Sequence, residues 1–239
     1  MQPHFIEINS MPPEISIVVP TYNESENIGN LLQAVSKTLE SYDYEIIIVD
    51  DNSPDGTAGI VRKISCEDNR IRLVVRSGKL GLGSAILEGF SMAEGNYLLM
   101  IDADLSHRPE DIKRLIDRRK EADIIIGSRY IKGGRTICWP VKRRIISRIA
   151  IVLVNLFFNL SVKDPVSGFA LYKKETFERL DGKLKPMGYK LLLEVLAKSP
   201  GLTVIEIPIT FINRKTGESK LGMDEILNFI KLCWSLRNT

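Results

Sequence analysis

Two aspartates, Asp102 and Asp104, stand one residue apart directly after the apolar run YLLMI at residues 97–101. Side chains at positions i and i+2 of a strand point the same way, so both carboxylates can converge on one point. Two bare carboxylates would repel and raise one pKa, whereas a divalent cation between them removes the repulsion. Oxygen ligands suit Mg²⁺ or Mn²⁺, and Mg²⁺ usually takes one or two carboxylates plus substrate phosphates. A solvated turn is the commoner fate of an isolated Asp-x-Asp, so its surroundings decide.

Four other apolar runs also end in residues that can bind a ligand. The runs with their continuations are ISIVVP–TYNES (15–25), YEIIIVD–DNSPDG (44–56), IRLVV–RSGKLGLGSA (71–85) and ADIIIG–SRY (122–130). In an open α/β sheet, ligands bind beyond the carboxyl ends of the strands. Five such ends favour one ligand site at that edge, and they favour metal binding by Asp102 and Asp104 over a solvated turn.

Two of these strand ends leave two interpretations open. Asp51, the second of two consecutive aspartates, can hold a ribose or a base by hydrogen bonds, or it can belong to the Pro-Asp-Gly turn at residues 54–56. Gly81 and Gly83 resemble a phosphate cradle, but the stretch fits neither the P-loop nor the dinucleotide-binding pattern, and both glycines can equally begin a helix.

Positive charge for a polyanionic ligand is available in three places. They are Arg129, the cluster Lys142-Arg143-Arg144 with Ser147, and the pair Arg214 and Lys220. The usual alternative for such charges is a solvated face. The cluster, however, opens the most apolar predicted helix, VKRRIISRIAIVLVNLFFNL at residues 141–160. Basic residues beside an apolar face indicate contact with lipid headgroups, and a buried core helix is the competing interpretation.

The alternation of short apolar runs with helical patterns predicts an α/β fold with a mostly parallel open sheet flanked by helices. A first helix is predicted around Ile28 to Leu39, capped by Asn23 or Ser25, and Pro109 is predicted to begin another. A loop is expected at 130–140 and one strand at 203–211. We expect a single domain over 1–239, with a nucleotide-binding half at 1–130, an acceptor half at 131–222 and an amphipathic helix at 223–239.

Composition excludes several classes of protein. Hydrophobic residues make up 44% and charged residues 26% of the chain, which is typical of a globular protein and not of a disordered one. The net charge of +3 is too small to indicate nucleic-acid binding. Cys66, Cys138 and Cys233 are too dispersed for a disulfide framework or a zinc site. The start of the chain does not look like a signal peptide. The longest apolar stretch, Ile149 to Leu160, is shorter than the roughly 20 residues of a membrane-spanning helix, so a soluble or peripheral protein is expected.

Together these motifs resemble the GT-A-type glycosyltransferases of family 2, and among them the dolichyl-phosphate mannose synthases. The resemblance covers roughly residues 15–222. The matching stretches are VVPTYNESENI, IIIVDDNSPDGT, RSGKLGLGSA, GNYLLMIDADLSHRPE, GSRYIKGG, WPVKRRIISR, DPVSGFALYKKE and NRKTGESKLG. The resemblance implies a Rossmann-like GT-A fold and a metal-dependent, inverting transfer of mannose from GDP-mannose to dolichyl (polyprenyl) phosphate.

The same resemblance assigns roles to residues on the donor side. The nucleotide would be contacted by Pro20, Tyr22, Glu24, Val49 and Asp51. The diphosphate and the metal, Mg²⁺ or Mn²⁺, would be held by Asp102, Ala103 and Asp104. Ser106 would complete the metal's surroundings, although some relatives have glutamine there.

For the acceptor phosphate, the resemblance implies binding by Arg129, Arg143 and Ser147. Arg214 and Lys220 would close over the donor phosphates. The expected catalytic residues are Asp102, Asp104 and Arg129, the last of which would also contact GDP-mannose. His107 is predicted to be structural, since a phosphate acceptor is already anionic and needs no strong base.

The lipid substrate implies a peripheral location at the cytoplasmic face of a membrane, the plasma membrane in a prokaryote or the endoplasmic reticulum in a eukaryote. Contact could come from the segment 223–239, or a membrane-anchoring partner protein could recruit the chain. Transfer of glucose or N-acetylglucosamine to the lipid phosphate is the nearest alternative function. A non-catalytic nucleotide-binding protein and a nucleotidyltransferase are more distant alternatives.

Overall fold

The computed structural model describes residues 11–158, 160–180, 182–184 and 191–213, together with residues 229, 233, 234 and 236. The strands within this part of the chain are β1 (Ile15–Thr21), β2 (Tyr44–Asp50), β3 (Ile71–Val75), β4 (Tyr97–Met100), β5 (Ile124–Ser128), β6 (Arg135–Ile137), β7 (Ala170–Lys173), β8 (Val204–Pro208) and β9 (Thr210–Ile212). The helices are α1 (Ile28–Thr38), α2 (Thr57–Glu67), α3 (Leu82–Met92), α4 (Pro109–Ile116), α5 (Val141–Phe158), α6 (Lys174–Glu178) and α7 (Leu191–Lys198).

Seven of the strands form one open sheet in the order β3-β2-β1-β4-β7-β5-β8, and β6 pairs with β9 in a small second sheet. All pairs are parallel except those of β7, which runs antiparallel to both β4 and β5. The mostly parallel open α/β sheet predicted from the sequence is therefore confirmed. Strands β7 and β8 follow residue 130 in the chain, yet they lie in the same sheet as β1 to β4.

Both faces of the sheet are covered, which explains the continuous apolar runs. Ile17 and Val19 of β1 face the layer of α1, α2 and α4, while Val18 faces the opposite layer of α3 and α7. In α1, residues at helical spacing are buried in the core between this first layer and the sheet: Ile28, Leu31, Leu32 and Val35.

The first helix begins later than its predicted caps. Asn27 is the residue before α1, and the backbone N–H groups of Asn23 and Ser25 instead donate to Ser53 Oγ at 2.9 Å and to Asp55 Oδ2 at 2.9 Å. The segment before α1 is thus bound to the loop that follows β2, which is why it stays outside the helix. The prediction that Pro109 begins a helix is confirmed.

Two further predictions need correction in the second half of the chain. The single strand expected at 203–211 is two strands, because β8 ends at Pro208 and β9 then leaves the large sheet to pair with β6. The loop expected at 130–140 contains a short strand, β6, because residues 135–137 pair with β9. Helix α5 occupies the predicted position, and no helix in the described part of the chain is long and apolar enough to cross a membrane.

Candidate active site

The order of the strands places a crevice at the carboxyl ends of β1 and β4. The connections from β1 lead away to β2 and β3 on one side, while β4 lies on the other side of β1, so the strand order reverses between β1 and β4. Open α/β sheets bind their ligands at such a switch point. Asp102 and Asp104 follow β4 directly and therefore lie at this crevice.

The loop that carries the two aspartates is fixed by hydrogen bonds on both sides. Asp104 Oδ1 accepts the N–H of Ser106 at 3.0 Å, which closes a tight turn in which Leu105 has a positive φ of 57°. Ser106 is buried, and its carbonyl accepts the N–H of Ile212 in β9 at 2.9 Å. A non-glycine residue with positive φ costs about 1 kcal/mol or more, so the surrounding contacts hold this turn against its own strain.

The Asp102 carboxylate lies between a histidine and a glycine. Its Oδ2 atom is 3.8 Å from His107 Nε2. A Cβ atom placed on Gly168 would lie 3.1 Å from the same oxygen. Gly168 comes two residues before β7, whose antiparallel register with β4 pairs Met100 with Ala170 and so brings residue 168 to the end of β4. The absence of a side chain at this glycine leaves room for the carboxylate.

His107 is a buried packing residue, which fits the structural role expected from the sequence. Its ring lies 5.0 Å from that of Phe169 and 5.2 Å from that of Phe211, centroid to centroid. Burial lowers the pKa of His107 to about 4, although the negative charge of Asp104 acts in the opposite direction. The imidazole is therefore neutral at neutral pH, and its proximity to Asp102 is not an ion pair.

The two carboxylates fit a divalent cation that shares its coordination with a substrate. Among the described residues, no group of three or more His, Cys, Asp or Glu side chains could hold a metal by itself. Mg²⁺ rarely needs such a cage, because one or two carboxylates commonly bind it together with substrate phosphates. Asp102 and Asp104 provide that set at the crevice, where a diphosphate could approach.

The two consecutive aspartates at the end of β2, Asp50 and Asp51, have different roles. Asp50 is fully buried and accepts hydrogen bonds from the Thr21 hydroxyl at 2.7 Å and the Ser53 hydroxyl at 2.6 Å, so it holds the strand ends together. Asp51 lies nearer the edge, where its Oδ2 accepts the Gly81 N–H at 2.8 Å and its Oδ1 is 3.2 Å from Arg76 Nε.

The other predicted nucleotide residues lie at the same edge of the sheet. Pro20 and Val49 are register partners across β1 and β2. The Tyr22 ring has Lys79 Nζ 4.1 Å from its centroid, and Glu24 Oε2 accepts the Asn27 side-chain amide at 2.8 Å. The structure thus brings together the residues predicted to contact the nucleotide, and their contact with it stays a prediction.

Arg129, directly after β5, is a buried cation paired with a buried anion. Its Nε donates to Asp164 Oδ2 at 2.8 Å and its Nη2 to Asp164 Oδ1 at 2.8 Å. The guanidinium carbon lies 5.3 to 5.5 Å from the ring centroids of Tyr130, Trp139 and Phe211. Burial alone lowers the pKa of Arg129, but the charge and hydrogen bonds of Asp164, with a smaller effect of Asp102, raise it overall. Arg129 therefore stays charged.

The remaining predicted acceptor residues lie on α5. Ser147 Oγ accepts the Tyr130 hydroxyl at 2.8 Å, and Arg143 Nη1 donates to Asn213 Oδ1 at 2.7 Å. Asn213 directly follows β9, the strand that also contacts Ser106. Arg129, Arg143 and Ser147 are therefore connected to the aspartate loop through β9 and its neighbours. Arg214 and Lys220 lie outside the described residues.

Reasoning from the sequence missed three residues of this region: Asp164, Tyr130 and Gly168. Asp164 and Gly168 both lie in DPVSGFALYKKE, and Tyr130 lies in GSRYIKGG, two of the stretches that carry the family resemblance. Their presence in those stretches was the signal in the sequence that could have marked them as candidate site residues. Their partners are distant in sequence or on another element, so no local pattern identified their contacts.

The family is established by comparison with known sequences. Residues 16–181, well over half of the chain, match glycosyl transferase family 2. The chain belongs to this family of glycosyltransferases, and its sheet and flanking helices have the GT-A-like architecture expected from the sequence.

Three curated relatives have names that specify a reaction within this family. The chain is 39% identical to the dolichol-phosphate mannosyltransferase of Pyrococcus furiosus over 93% of its own length and 63% of that protein's length. It is 34% identical to the polyprenol monophosphomannose synthase of Mycolicibacterium smegmatis, covering 88% of this chain and 82% of that protein. It is also 34% identical to the undecaprenyl-phosphate mannosyltransferase of Micrococcus luteus, covering 86% of each. The chain thus spans less than two thirds of the Pyrococcus protein and most of the other two.

Solved structures share the fold at lower sequence identity. Glucosyl-3-phosphoglycerate synthase from Mycobacterium tuberculosis, in complex with Mn²⁺, UDP-glucose and phosphoglyceric acid, is 18% identical with a TM-score of 0.68, covering 94% of this chain and 78% of that one. A mannosyltransferase from Pyrobaculum calidifontis, in complex with GDP-mannose and Mn²⁺, is 19% identical with a TM-score of 0.58, covering 87% and 59%. Both structures of this fold hold Mn²⁺ together with a nucleotide sugar.

Proposed function

We propose that the chain transfers mannose from GDP-mannose to a polyprenyl phosphate, such as dolichyl phosphate, and releases GDP. Identities of 39% and 34% to relatives named as polyprenyl-phosphate mannosyltransferases support this assignment. The observation that carries it is the convergence, at one sheet edge, of Asp102 and Asp104 with the buried cation Arg129. A reaction that brings two phosphate-bearing substrates together needs both a site for a metal-bound diphosphate and fixed positive charge.

The donor would occupy the crevice at the ends of β1, β2 and β4. Asp51 and Tyr22 lie where the nucleoside would bind, and Asp102 and Asp104 lie where its diphosphate would meet a divalent cation. When bound, Mg²⁺ or Mn²⁺ supplies Lewis-acid stabilisation of the leaving diphosphate. The contribution of the chain is to hold the two carboxylates on the strained turn at Leu105 and to keep His107 neutral behind them.

In the proposed reaction, an oxygen of the acceptor phosphate attacks the anomeric carbon of mannose. The new carbon–oxygen bond forms as the bond to the diphosphate oxygen breaks, and GDP leaves with the electron pair. In-line attack inverts the α linkage of the donor to a β-mannosyl phosphate. A phosphate monoester has a second pKa of about 6 and is largely dianionic at neutral pH, so no general base is required. Arg129 and Arg143 would offset the repulsion between the two anions.

Helix α5 supports a peripheral contact with the membrane that contains the acceptor. One side of the helix carries five large apolar side chains that are 52% to 76% exposed: Val141, Ile145, Ile149, Val152 and Leu156. Their spacing of three or four residues puts them on one face. The side chains of Lys142, Arg144 and Arg148 are also exposed nearby and would suit anionic headgroups. The proposal includes the cytoplasmic face of that membrane as the place of contact.

Binding to vesicles tests this contact. Val152→Glu places a charge on the exposed apolar face, and it is expected to weaken co-sedimentation with vesicles containing anionic phospholipid by several-fold without lowering thermal stability. Met92→Glu, which changes a half-exposed apolar residue on α3, is the matched control and should bind like the wild type. Equal binding by Val152→Glu and the wild type would contradict the role of α5.

The function itself is tested by incubating the protein with a polyprenyl phosphate, Mn²⁺ or Mg²⁺, and one radiolabelled sugar nucleotide at a time. We expect label in the lipid fraction with GDP-mannose and little with GDP-glucose, UDP-glucose or UDP-N-acetylglucosamine. Preferred transfer from a UDP-sugar would assign a different sugar. No transfer from any donor would favour a non-catalytic protein. Release of pyrophosphate in a separate reaction with a nucleoside triphosphate and a sugar 1-phosphate would indicate a nucleotidyltransferase.

A further inference from the structure

We infer that Asp164 and Tyr130 are positioning residues that hold Arg129 and Ser147 as one preassembled binding group for the acceptor phosphate. The inference rests on the function proposed above and deepens it, because neither residue is among those that the family resemblance assigns to the site. Arg129 comes from the end of β5 and Ser147 from α5, so a binding group made of both needs contacts that fix them relative to each other.

Asp164 determines which edge of the Arg129 guanidinium is available. Its two carboxylate oxygens accept hydrogen bonds from Nε and Nη2 at 2.8 Å each, and Oδ2 also accepts the backbone N–H of Arg129 at 3.0 Å. A planar guanidinium bound along one edge cannot rotate about its last bond, so its opposite edge has a fixed direction. That second edge can bind a phosphate without a search through side-chain conformations.

Asp164 is itself held in place by the neighbouring strand. It is fully buried, and its backbone N–H donates to Glu206 Oε1 in β8 at 3.0 Å, while the N–H of Lys163 donates to Glu206 Oε2 at 2.8 Å. Strand β8 pairs directly with β5, and Arg129 directly follows β5. The carboxylate is therefore anchored to the same part of the sheet as the arginine that it orients.

Tyr130 connects Arg129 to the second ligand. Its ring centroid is 5.3 Å from the Arg129 guanidinium carbon, and its hydroxyl donates to Ser147 Oγ at 2.8 Å. At neutral pH a phosphate monoester is largely dianionic and offers only hydrogen-bond acceptors. Ser147 must therefore donate its own hydrogen to bind it. Because Tyr130 donates to the serine oxygen, the serine hydrogen is directed elsewhere and remains available for the phosphate.

Stability alone is a weak reason for this arrangement. A buried ion pair often contributes no more to folding than a well-packed apolar pair would, since both charges lose their hydration. The Arg129–Asp164 pair lies at the carboxyl end of β5, next to the aspartate loop, where binding groups are expected in this fold. A fixed cation at this position helps an anionic acceptor approach an anionic donor.

The test uses Tyr130→Phe and Asp164→Asn, each with a matched control far from the site. Tyr42→Phe removes a hydroxyl that contacts Lys113 and Asp117, and Asp123→Asn removes a carboxylate that pairs with Lys173. Steady-state KM and kcat are measured with GDP-mannose and with farnesyl phosphate, a short polyprenyl phosphate, alongside thermal unfolding. Tyr130→Phe is expected to raise the KM for farnesyl phosphate about ten-fold, while the KM for GDP-mannose changes less than two-fold. Asp164→Asn is expected to raise the acceptor KM at least as much and to lower kcat.

A purely structural role predicts a different pattern. The inference is wrong if Tyr130→Phe keeps the wild-type KM for farnesyl phosphate, or if the two substrates are affected equally. Should Asp164→Asn fail to fold, the Tyr130→Phe result decides alone. Both controls are expected to keep wild-type KM values. The proposed function would be overturned if the wild-type protein transfers no mannose from GDP-mannose to farnesyl phosphate or to longer polyprenyl phosphates. If the wild type is active and Tyr130→Phe has the same KM for farnesyl phosphate, only this inference is overturned.

Discussion

Substitution of Gly168 by alanine is expected to displace the Asp102 carboxylate. The new Cβ atom would lie 3.1 Å from Asp102 Oδ2, whereas nonbonded carbon contacts are favourable at roughly 3.5 Å or more. The carboxylate must therefore move by several tenths of an ångström. The Asp102 side chain is 35% exposed, so it can move towards solvent, and the loss in free energy of unfolding should stay within about 1 kcal/mol.

The catalytic effect should be larger than the effect on stability. A displacement of 1 Å in an active site can cost about 100-fold in rate, so several tenths of an ångström should lower kcat by about three- to ten-fold. The assay is mannosyl transfer at saturating GDP-mannose over a series of Mn²⁺ concentrations, with urea denaturation in parallel. We expect a lower kcat and a higher Mn²⁺ requirement, because Asp102 is proposed to bind the metal.

Gly59→Ala is the matched control for this substitution. Gly59 lies in α2, and a Cβ atom there would meet no atom within 4 Å apart from its chain neighbours and the backbone of the helix itself. Alanine in an open helical position should stabilise the protein by about 0.5 to 1 kcal/mol and leave transfer unchanged. The reasoning is refuted if folded Gly168→Ala matches the wild type in both kcat and Mn²⁺ dependence.

Two further substitutions test the packing and the electrostatics of the folded chain. Gly127→Ala would place a Cβ atom 2.5 Å from Phe169 Cδ1 in the core, so urea denaturation should show a loss of about 1 to 3 kcal/mol; wild-type stability would contradict the close packing of β5 on Phe169. Hydrogen bonds from Thr203 lower the pKa of Asp123 from 3.8 to about 2, so in the wild type its stabilising effect is complete above pH 3.8 and is lost as the pH falls to about 2. Because the side chain is 24% exposed, Asp123→Asn should lower the free energy of unfolding by only about 1 kcal/mol at pH 7. The difference in stability from the wild type should shrink below pH 3.8. If it stays constant down to pH 2, the titration of Asp123 is not its source.

Strands β1, β2 and β5 could be predicted from the sequence because each is a continuous apolar run, rich in β-branched residues and buried along its whole length. Strand β7 could not be placed in the same way. Its four residues, Ala170–Lys173, are too few to show a period, and its antiparallel position between β4 and β5 depends on pairing with residues more than 40 positions earlier in the chain. The division of residues 203–211 between two sheets likewise follows from where their partners lie, which local pattern does not contain.

The candidate site shows the same limit. The aspartates of the crevice could be predicted because they interrupt an apolar run and follow one another at close spacing. The different roles of Asp50 and Asp51 could not be predicted, because the two are adjacent at the end of one apolar run and only the structure shows that Thr21 and Ser53 bind the first. The partner of Arg129 is 35 positions away at Asp164, in a stretch with few features apart from its resemblance to the family.

The central claim is that the carboxylates after β4 bind a metal that is required for mannosyl transfer. The most direct measurement compares wild type and Asp104→Ala for transfer of labelled mannose from GDP-mannose to a polyprenyl phosphate, with Mn²⁺ and with EDTA. We expect wild-type transfer with Mn²⁺ only, and a loss of at least 1000-fold for Asp104→Ala. This variant should keep a thermal unfolding midpoint close to that of the wild type, because Asp104 is only partly buried and lies outside the apolar core. Normal turnover by Asp104→Ala with Mn²⁺, or full wild-type activity in EDTA, would contradict the account.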